Sequence, residues 1–281
     1  MVWWWVLYSP HSLGWFLPKN ILTKDVFSGI QYQRIRLNVF GYWGKDNMCA
    51  VIGIIMSNPT SKDFEIIRNV FTESKIRGMH ATGMSFLPHW SKEIVTIKDA
   101  IPADKFVDIH LQDKSLTDMI SDDGNLYLIG HCRYSTSDLE YNQPLHTSNK
   151  SIVHNGVITQ ESPEKWKDRF GYDCITKNDS ELVLHAEDPL QQFFDMSMGV
   201  CELDVEKTLR VYRNGKRPLY LTDVENGSII TSTVDIARRA GLTGNTEEIP
   251  MNTYLTFDDN LALTVESVTI NGAVDYQYEL H

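Results

Sequence analysis

The sequence lacks the long apolar run that a membrane-spanning helix needs. Such a helix takes about 18 or more consecutive apolar residues, and no window of the 281 residues provides them. The opening, MVWWWVLYSPHSLGWFLP, is apolar and aromatic, but it has no basic region at its start and polar residues interrupt it at 9–12. We therefore expect neither a membrane anchor nor a signal peptide.

Positive charge and paired cysteines are also scarce. The chain has 26 Lys and Arg against 37 Asp and Glu, a net charge of -11, and its cations are dispersed, so we do not expect a nucleic-acid partner. Its four cysteines lie far apart and form no CxxC pair. This spacing argues against a disulfide framework or a zinc knuckle and favours a reducing, cytoplasmic location.

Metal-ligand spacing is nearly absent as well. Five histidines and cysteines could in principle bind a metal, but only the two at 131 and 132 are close together in the sequence. No pair has the spacing of ligands on a helix or in a CxxC motif. These candidates are His131, Cys132, His146, His154 and His185. We expect no metal and no cofactor, and we interpret Cys132, Cys174 and Cys201 as structural.

What the sequence does contain is a pattern of short strands with a few helices, and 42% hydrophobic residues, enough for an ordinary core. AVIGIIMS after Cys49 predicts a buried strand, and the next segment has helical spacing with Ser61 as its N-cap. ATGMSFL, KEIVTIKD and NLYLIGHCRYS predict further strands. DSELVLHAE predicts a helix that begins at or near Asp179.

Asn-Gly pairs punctuate the second half of the chain at 155–156, 214–215 and 226–227. We interpret the first as a turn between two strands of KSIVHNGVIT, and the other two as hairpin turns. No internal repeat or low-complexity linker separates the elements. The pattern predicts an α+β fold of stacked antiparallel β-sheets flanked by helices.

Residues 1–47 differ from the rest, because they show neither alternation nor helical period. We interpret them as a leader, a propeptide or a wrongly included upstream segment. The ordered domain is expected to span residues 48–281 and to begin at the Met48-Cys49 pair.

Six segments in order carry a family resemblance: MCAVIGI, RGMHATG, GHCRYST with NQP, VHNG, NDSE and KRPLY. Together, over about residues 49–260, they resemble the glutaminase domain of class II glutamine amidotransferases, which are N-terminal nucleophile hydrolases. The resemblance implies an αββα arrangement of two stacked sheets. It also implies L-glutamine as the substrate.

The resemblance implies that Cys49 is the nucleophile and that its own α-amine is the base. An α-amine titrates near 7.7 to 8, whereas a peptide nitrogen is not basic because its lone pair is delocalised. Cys49 must therefore become the first residue, either by cleavage after Met48 or because translation begins at Met48. We favour the second route.

The other site residues also follow from the resemblance. The Asn155 side chain and the Gly156 N–H would form the oxyanion hole. Arg133 would bind the glutamine carboxylate, since a guanidinium can do so bidentately, and Asp179 would bind its ammonium.

Supporting roles follow for four more residues. Thr136 and Gln143 would help to line the glutamine pocket, and Arg77 and Gly78 would organise the backbone near the nucleophile. The sequence departs from the family pattern at two positions: Ala50 follows the nucleophile where glycine is usual, and His80 stands where aspartate is common.

The predicted function is hydrolysis of glutamine through a Cys49 glutamyl thioester. The ammonia would pass to an acceptor on another chain, such as a synthetase or transferase partner. Two alternatives stay open: an N-terminal nucleophile amidohydrolase acting on another amide or a γ-glutamyl bond, and a non-catalytic binding or regulatory module in which residues 1–47 remain attached.

Overall fold

The computed structural model describes residues 48–135 and 139–270. Its strands, in chain order, are β1 (Ala50–Ser57), β2 (Ala81–Phe86), β3 (Val95–Asp99), β4 (Asn125–Arg133), β5 (Leu145–His146), β6 (Lys150–Val157), β7 (Ser197–Asp204), β8 (Leu209–Arg213), β9 (Tyr220–Val224), β10 (Gly227–Thr231), β11 (Thr246–Glu248), β12 (Thr253–Phe257) and β13 (Leu263–Ser267). Its helices are α1 (Ser61–Ser74), α2 (Ala103–His110), α3 (Asp113–Asp118), α4 (Trp166–Phe170), α5 (Ser180–His185), α6 (Pro189–Gln192) and α7 (Val234–Arg239), and a 3-10 turn spans Pro163–Lys165.

These strands form two antiparallel sheets. The first has seven strands in the order β11-β9-β10-β1-β4-β2-β3, and the second has six in the order β13-β12-β8-β7-β6-β5. β1 lies at the centre of the first sheet between β10 and β4. Its continuous apolar sequence follows from this position, because both of its faces are buried.

The hydrophobic core has three layers, one between the two sheets and one on the outer face of each sheet. Alternate β1 residues such as Ile52 and Ile54 pack under α1, α2, α3 and α7. The intervening residues, Val51 and Ile55, face Val153 and other residues of the second sheet. The outer face of the second sheet packs against α4, α5 and α6. The order is helix, sheet, sheet, helix, which confirms the predicted α+β class with stacked antiparallel sheets.

Two of the predicted Asn-Gly turns are wrong. β6 runs unbroken through Asn155 and Gly156, because both stay paired with β7 opposite Gly199 and Met198. The 214–215 pair follows β8 of the second sheet, and the next strand, β9, belongs to the first sheet. It therefore lies in a crossover between sheets instead of a hairpin. At 226–227 a hairpin does join β9 to β10, with Gly227 as the first residue of β10.

The start of α1 also differs by one residue from the expectation. Thr60, not Ser61, is the N-cap, and the Asp63 carboxylate accepts hydrogen bonds from both the N–H and the hydroxyl of Thr60. Thr60 and Asp63, the third residue of the helix, form a capping box, and this arrangement makes Thr60 the N-cap. None of the helices in the described ranges is both long and apolar enough to cross a membrane.

Gly227 should be indispensable to the centre of the first sheet. A Cβ there would lie 2.0 Å from the backbone oxygen of Ile55, so β1 and β10 would have to separate. We expect Gly227→Ala to lower the free energy of unfolding by about 1–3 kcal/mol, measured by urea denaturation. Gly215→Ala is the control, because its Cβ would meet only the Met251 sulfur at 3.4 Å. Equal effects of the two substitutions would contradict this account.

Candidate active site

The two sheets bring polar side chains together at one end of the sandwich. β1 and β4 pair with Ala50 opposite Cys132, and continuing this register by one residue sets Cys49 opposite Arg133. Because side chains alternate across a strand, Cys49 and Arg133 point to the same side as Val51, towards the second sheet. Asn155 on β6 faces the first sheet for the same reason, two residues after Val153.

A cavity of about 530 Å³ opens at this end. It brings together five of the residues singled out from the sequence, namely Cys49, Arg133, Gln143, Gly156 and Asp179. Its other lining residues include His131, Tyr134, His154, Glu161, Trp166, Lys177 and Asn178. The predicted Asn155, Arg77 and Gly78 are not among the lining residues, and Thr136 lies outside the described residues.

Cys49 is partly buried at this end of the sandwich. Its Sγ is 3.9 Å from the backbone oxygen of Tyr134. Burial raises the pKa of the Cys49 thiol, and the backbone contact at Tyr134 and the charges of three arginines offset only part of this effect. The three arginines are Arg133, Arg77 and Arg217. With Met48 still attached, Cys49 is therefore a thiol at neutral pH.

The turn after α1 supports the Cys49 backbone. Arg77 donates from Nε to the backbone oxygen of Cys49 over 3.2 Å. Next to it, Gly78 packs directly on β4, since a Cβ at this position would lie 2.3 Å from the Cys132 oxygen. His80, one of the departures from the family pattern, accepts a hydrogen bond on Nδ1 from the N–H of Ser135 over 2.9 Å. This bond holds the backbone just beyond β4.

Asn155 and Gly156 offer two hydrogen-bond donors at the end of β6. The Asn155 side chain is 4% exposed, and its Nδ2 has no hydrogen-bond partner among the described residues. Gly156 lies opposite Met198 of β7. The N–H and the oxygen of Met198 both bond Asn214, which follows β8 on the other side of β7, so they do not bond Gly156. Gly156 therefore turns its own N–H away from β7.

A buried network supports this end of β6. The Gln143 side chain accepts from the His154 N–H over 2.6 Å and donates to the His154 oxygen over 3.1 Å. Ser180 bonds both Gln143 and the Nδ1 of His154. A Cβ on Gly156 would lie 1.8 Å from the Ser197 oxygen, so only glycine fits there. Gln143 thus acts on the cavity partly through the backbone that carries Gly156.

The two charged residues predicted to bind substrate are both held by hydrogen bonds. Arg133 donates from Nη1 to the Asn142 side chain over 2.7 Å and to the Tyr141 oxygen over 3.2 Å. Asp179, the N-cap of α5, accepts on Oδ2 from the N–H groups of Ile158 and Thr159 over 2.6 and 3.2 Å. Its Oδ1 accepts no hydrogen bond from the described residues. A cation and an anion therefore share the cavity.

Sequence reasoning assigned no role in the active site to His131 or Arg217, which lie near Cys49 and Met48. His131 lines the cavity, yet it is 1% exposed and neither ring nitrogen has a hydrogen-bond partner in the described ranges. Arg217 lies with Nη1 2.8 Å from the Met48 sulfur. The motifs GHCR and KRPLY contain these two residues, but spacing along the chain did not show that His131 shares the cavity with Cys49 or that Arg217 contacts Met48.

Comparison with solved structures identifies the fold. The chain is similar to the glutamine phosphoribosylpyrophosphate amidotransferase from B. subtilis complexed with ADP and GMP, with a TM-score of 0.60 and 16% sequence identity. A second structure, described as the allosteric regulatory enzyme of purine biosynthesis, matches equally well. The match covers 79% of this chain and 50% of each neighbour, so the chain spans about half of their length.

The chain has the N-terminal nucleophile hydrolase fold. One of these neighbours is described as a glutamine amidotransferase, and the likeness bears out the resemblance seen in the sequence at the level of the fold. No protein-family model matches the sequence, and no curated protein matches it.

His131 should make the protein sensitive to acid. Burial, then the charges of Arg133 and His154, lower its pKa from 6.5 to about 3, and the His154 backbone opposes this shift. Between these two values the unfolded chain binds a proton that the folded chain does not, so stability falls as the pH drops below about 6.5.

Between pH 6.5 and pH 5, we expect the wild type to lose about 2 kcal/mol of its free energy of unfolding through His131. In His131→Gln this part of the loss should be absent. Urea denaturation at the two pH values measures this loss. His89→Gln, at an exposed histidine, is the control and should leave the pH dependence as in the wild type. An unchanged pH dependence in His131→Gln would show that His131 has the same pKa in the folded and unfolded chains and would contradict this account.

Proposed function

We propose that this chain is a cysteine-dependent glutaminase of the amidotransferase kind, which hydrolyses L-glutamine to glutamate and ammonia. The observation that carries the proposal is the single cavity lined by Cys49, Arg133, Gly156 and Asp179. It combines a nucleophile, a donor for an oxyanion, and one charge of each sign for the two charged ends of an amino acid. The fold of the amidotransferase neighbours supports the same chemistry.

The proposed reaction begins once Met48 is removed. The free α-amine of Cys49 takes the thiol proton, because it titrates near neutral pH and needs no further side chain. The sulfur then adds to the side-chain amide carbon of glutamine. The carbon–nitrogen bond breaks, the amine returns the proton to the departing nitrogen, and ammonia leaves. Water hydrolyses the resulting thioester to glutamate and restores the thiol.

Asn155 and Gly156 are the proposed donors for the oxyanion. Negative charge develops on the amide oxygen when sulfur adds, and prearranged donors stabilise this charge by several kcal/mol. The Nδ2 of Asn155 is buried without a partner among the described residues, and Gly156 turns its N–H away from β7. An unbonded buried donor is costly in the resting protein, so binding of the oxyanion recovers this cost.

Arg133 and Asp179 are the proposed determinants of specificity. The hydrogen bonds of Arg133 to Asn142 and Tyr141 orient a guanidinium suited to a carboxylate. Asp179 is anchored through Oδ2, and Oδ1 is left for the substrate ammonium. We also propose that the ammonia passes to an acceptor on another polypeptide, such as a synthetase or transferase.

A second candidate is an amidohydrolase for γ-glutamyl compounds. The cavity is also lined by Glu161, Trp166 and Lys177, to which no role in binding glutamine is assigned. A volume of about 530 Å³ is within the range of pockets for larger small molecules. Such a substrate would share Cys49, Arg133 and Asp179 and place its leaving group against these further lining residues.

Replacing the nucleophile should abolish glutamate release. We expect Cys49→Ala, in a chain that begins at residue 49, to lower kcat/KM for glutamine by at least about 10³-fold. The matched control is Cys201→Ala, which changes a buried cysteine between the sheets and should retain activity. A wild-type chain in which Met48 stays attached should be as inactive as Cys49→Ala. Activity in that chain would contradict a role for the α-amine and would support another mechanism.

Three substrates separate the roles of the charged residues: glutamine, glutaramate, which lacks the ammonium, and 4-aminobutanamide, which lacks the carboxylate. We expect Arg133→Lys to lower kcat/KM by about 10- to 100-fold for the first two and little for the third. Asp179→Asn, which keeps an acceptor for Ile158 and Thr159, should affect glutamine and 4-aminobutanamide and spare glutaramate.

Steady-state kinetics of the wild type and of each variant measures kcat/KM on each of these substrates, with γ-glutamyl-p-nitroanilide as a fourth. A higher kcat/KM on the anilide than on glutamine would favour the second candidate. Equal losses on all the substrates would mean that Arg133 and Asp179 act on folding and not on recognition.

A further inference from the structure

A second group of reactive side chains lies on α5 and in the loop before it. Glu181 and His185 are four residues apart on one face of the helix, and Cys174 approaches them from the loop. One thiol sulfur, one carboxylate oxygen and one imidazole nitrogen all lie within 4.8 Å of one another. None of the three residues lines the cavity that contains Cys49. The proposed function uses none of them.

His185 has an unexplained buried nitrogen. Its Nε2 is inaccessible to water and has no hydrogen-bond partner among the described residues. The nearest anionic atom is the Oε1 of Glu181 at 3.6 Å, which is too far for a hydrogen bond. The imidazole is also oriented by stacking on the Tyr172 ring, with a centroid distance of 5.8 Å. Buried polar atoms are nearly always bonded, so this nitrogen points to a missing partner.

Glu181 is a buried carboxylate held in one orientation. It is 4% exposed. Its Oε1 accepts from the N–H of Ile175 over 2.7 Å, and its Oε2 accepts from the N–H and the hydroxyl of Thr176, each over 2.6 Å. Hydrogen bonds of this kind orient the carboxylate ligands of metals. Oε1 keeps a lone pair on the side of His185.

We propose that Cys174, Glu181 and His185 bind a divalent transition metal of the zinc class. Zinc accepts thiolate, imidazole and carboxylate ligands together, and three protein ligands leave a fourth position for water. Tetrahedral ligands of zinc lie about 3.3 to 3.8 Å apart. The Nε2 of His185 and the Oε1 of Glu181 already lie 3.6 Å apart, so only the partly exposed Cys174 side chain has to turn towards them. A metal was not expected from the sequence, because no pair among the candidate ligands considered there has helical or CxxC spacing, and Cys174 was not one of those candidates.

The charges around Cys174 favour a bound cation. The carboxylates of Glu181 and Asp173 both lie close enough to act on the Cys174 thiol. The same negative charges attract a metal ion.

A simpler interpretation assigns Glu181 only to the loop. That role accounts for its bonds to Ile175 and Thr176, which hold the segment leading to Asp179. It leaves the buried Nε2 of His185 without a partner and gives no reason for a thiol beside the pair. A metal ion accounts for all three side chains.

Titration with Co²⁺ tests the site in the full chain after treatment with a chelator. We expect one equivalent to bind and to produce a thiolate-to-cobalt absorption band in the near ultraviolet, which Zn²⁺ then removes. Cys174→Ser should abolish the band, and His185→Gln should weaken binding at least 10-fold. Cys49→Ser is the control and should keep the band, because its thiol lies in the other cavity. Far-ultraviolet circular dichroism verifies that each variant is folded.

A subtler variant tests the orientation of Glu181. Thr176→Val removes one hydroxyl that donates to Oε2 and keeps the backbone bond, so we expect metal affinity to fall by about 10-fold. Absence of the band in the folded wild type, or its loss in Cys49→Ser but not in Cys174→Ser, would overturn the proposal. Because none of these readouts measures glutaminase activity, failure here leaves the proposed function untouched.

Discussion

The antiparallel pairing of β1 with β4 is the constraint on which the candidate site depends. Ala50 lies opposite Cys132 in this register, and a shift by one residue would turn every side chain of β1 to the other face. The apolar residues of β1 leave no freedom for such a shift, because one set packs under the helices and the other between the sheets. Core packing therefore sets where the Cys49 thiol points.

Burial and charge act against each other at that thiol. Removal from water raises the pKa of Cys49, and the nearby arginines lower it only in part. An arginine cluster alone thus does not produce a thiolate in this cavity. The balance explains why the proposed mechanism needs a base as close as the α-amine of the same residue, and why attachment of Met48 matters chemically.

The second sheet supplies the Asn155 and Gly156 donors from a paired strand, β6, and not from a turn. Asn-Gly is a strong turn signal, and at 226–227 it does mark a hairpin. At 155–156 the same dipeptide continues a strand, because β7 supplies pairing partners along its whole length. Glycine is required there since the Ser197 oxygen leaves no space for a Cβ. Pairing with β7 thus outweighs the preference of Asn-Gly for a turn. It leaves these two donors near the cavity.

The sequence by itself determined the class of fold and named five of the residues that line the cavity. The apolar run after Cys49, the helical spacing after it and the ordered motifs suffice, because periodicity and residue type are local properties. Only the tertiary structure decided that His131 shares a cavity with Cys49, that Asn155 lies in a continuous strand, and that Cys174 lies close to Glu181 and His185. Each of these depends on contacts between segments far apart in the chain, and the packing of sheets and helices sets those contacts.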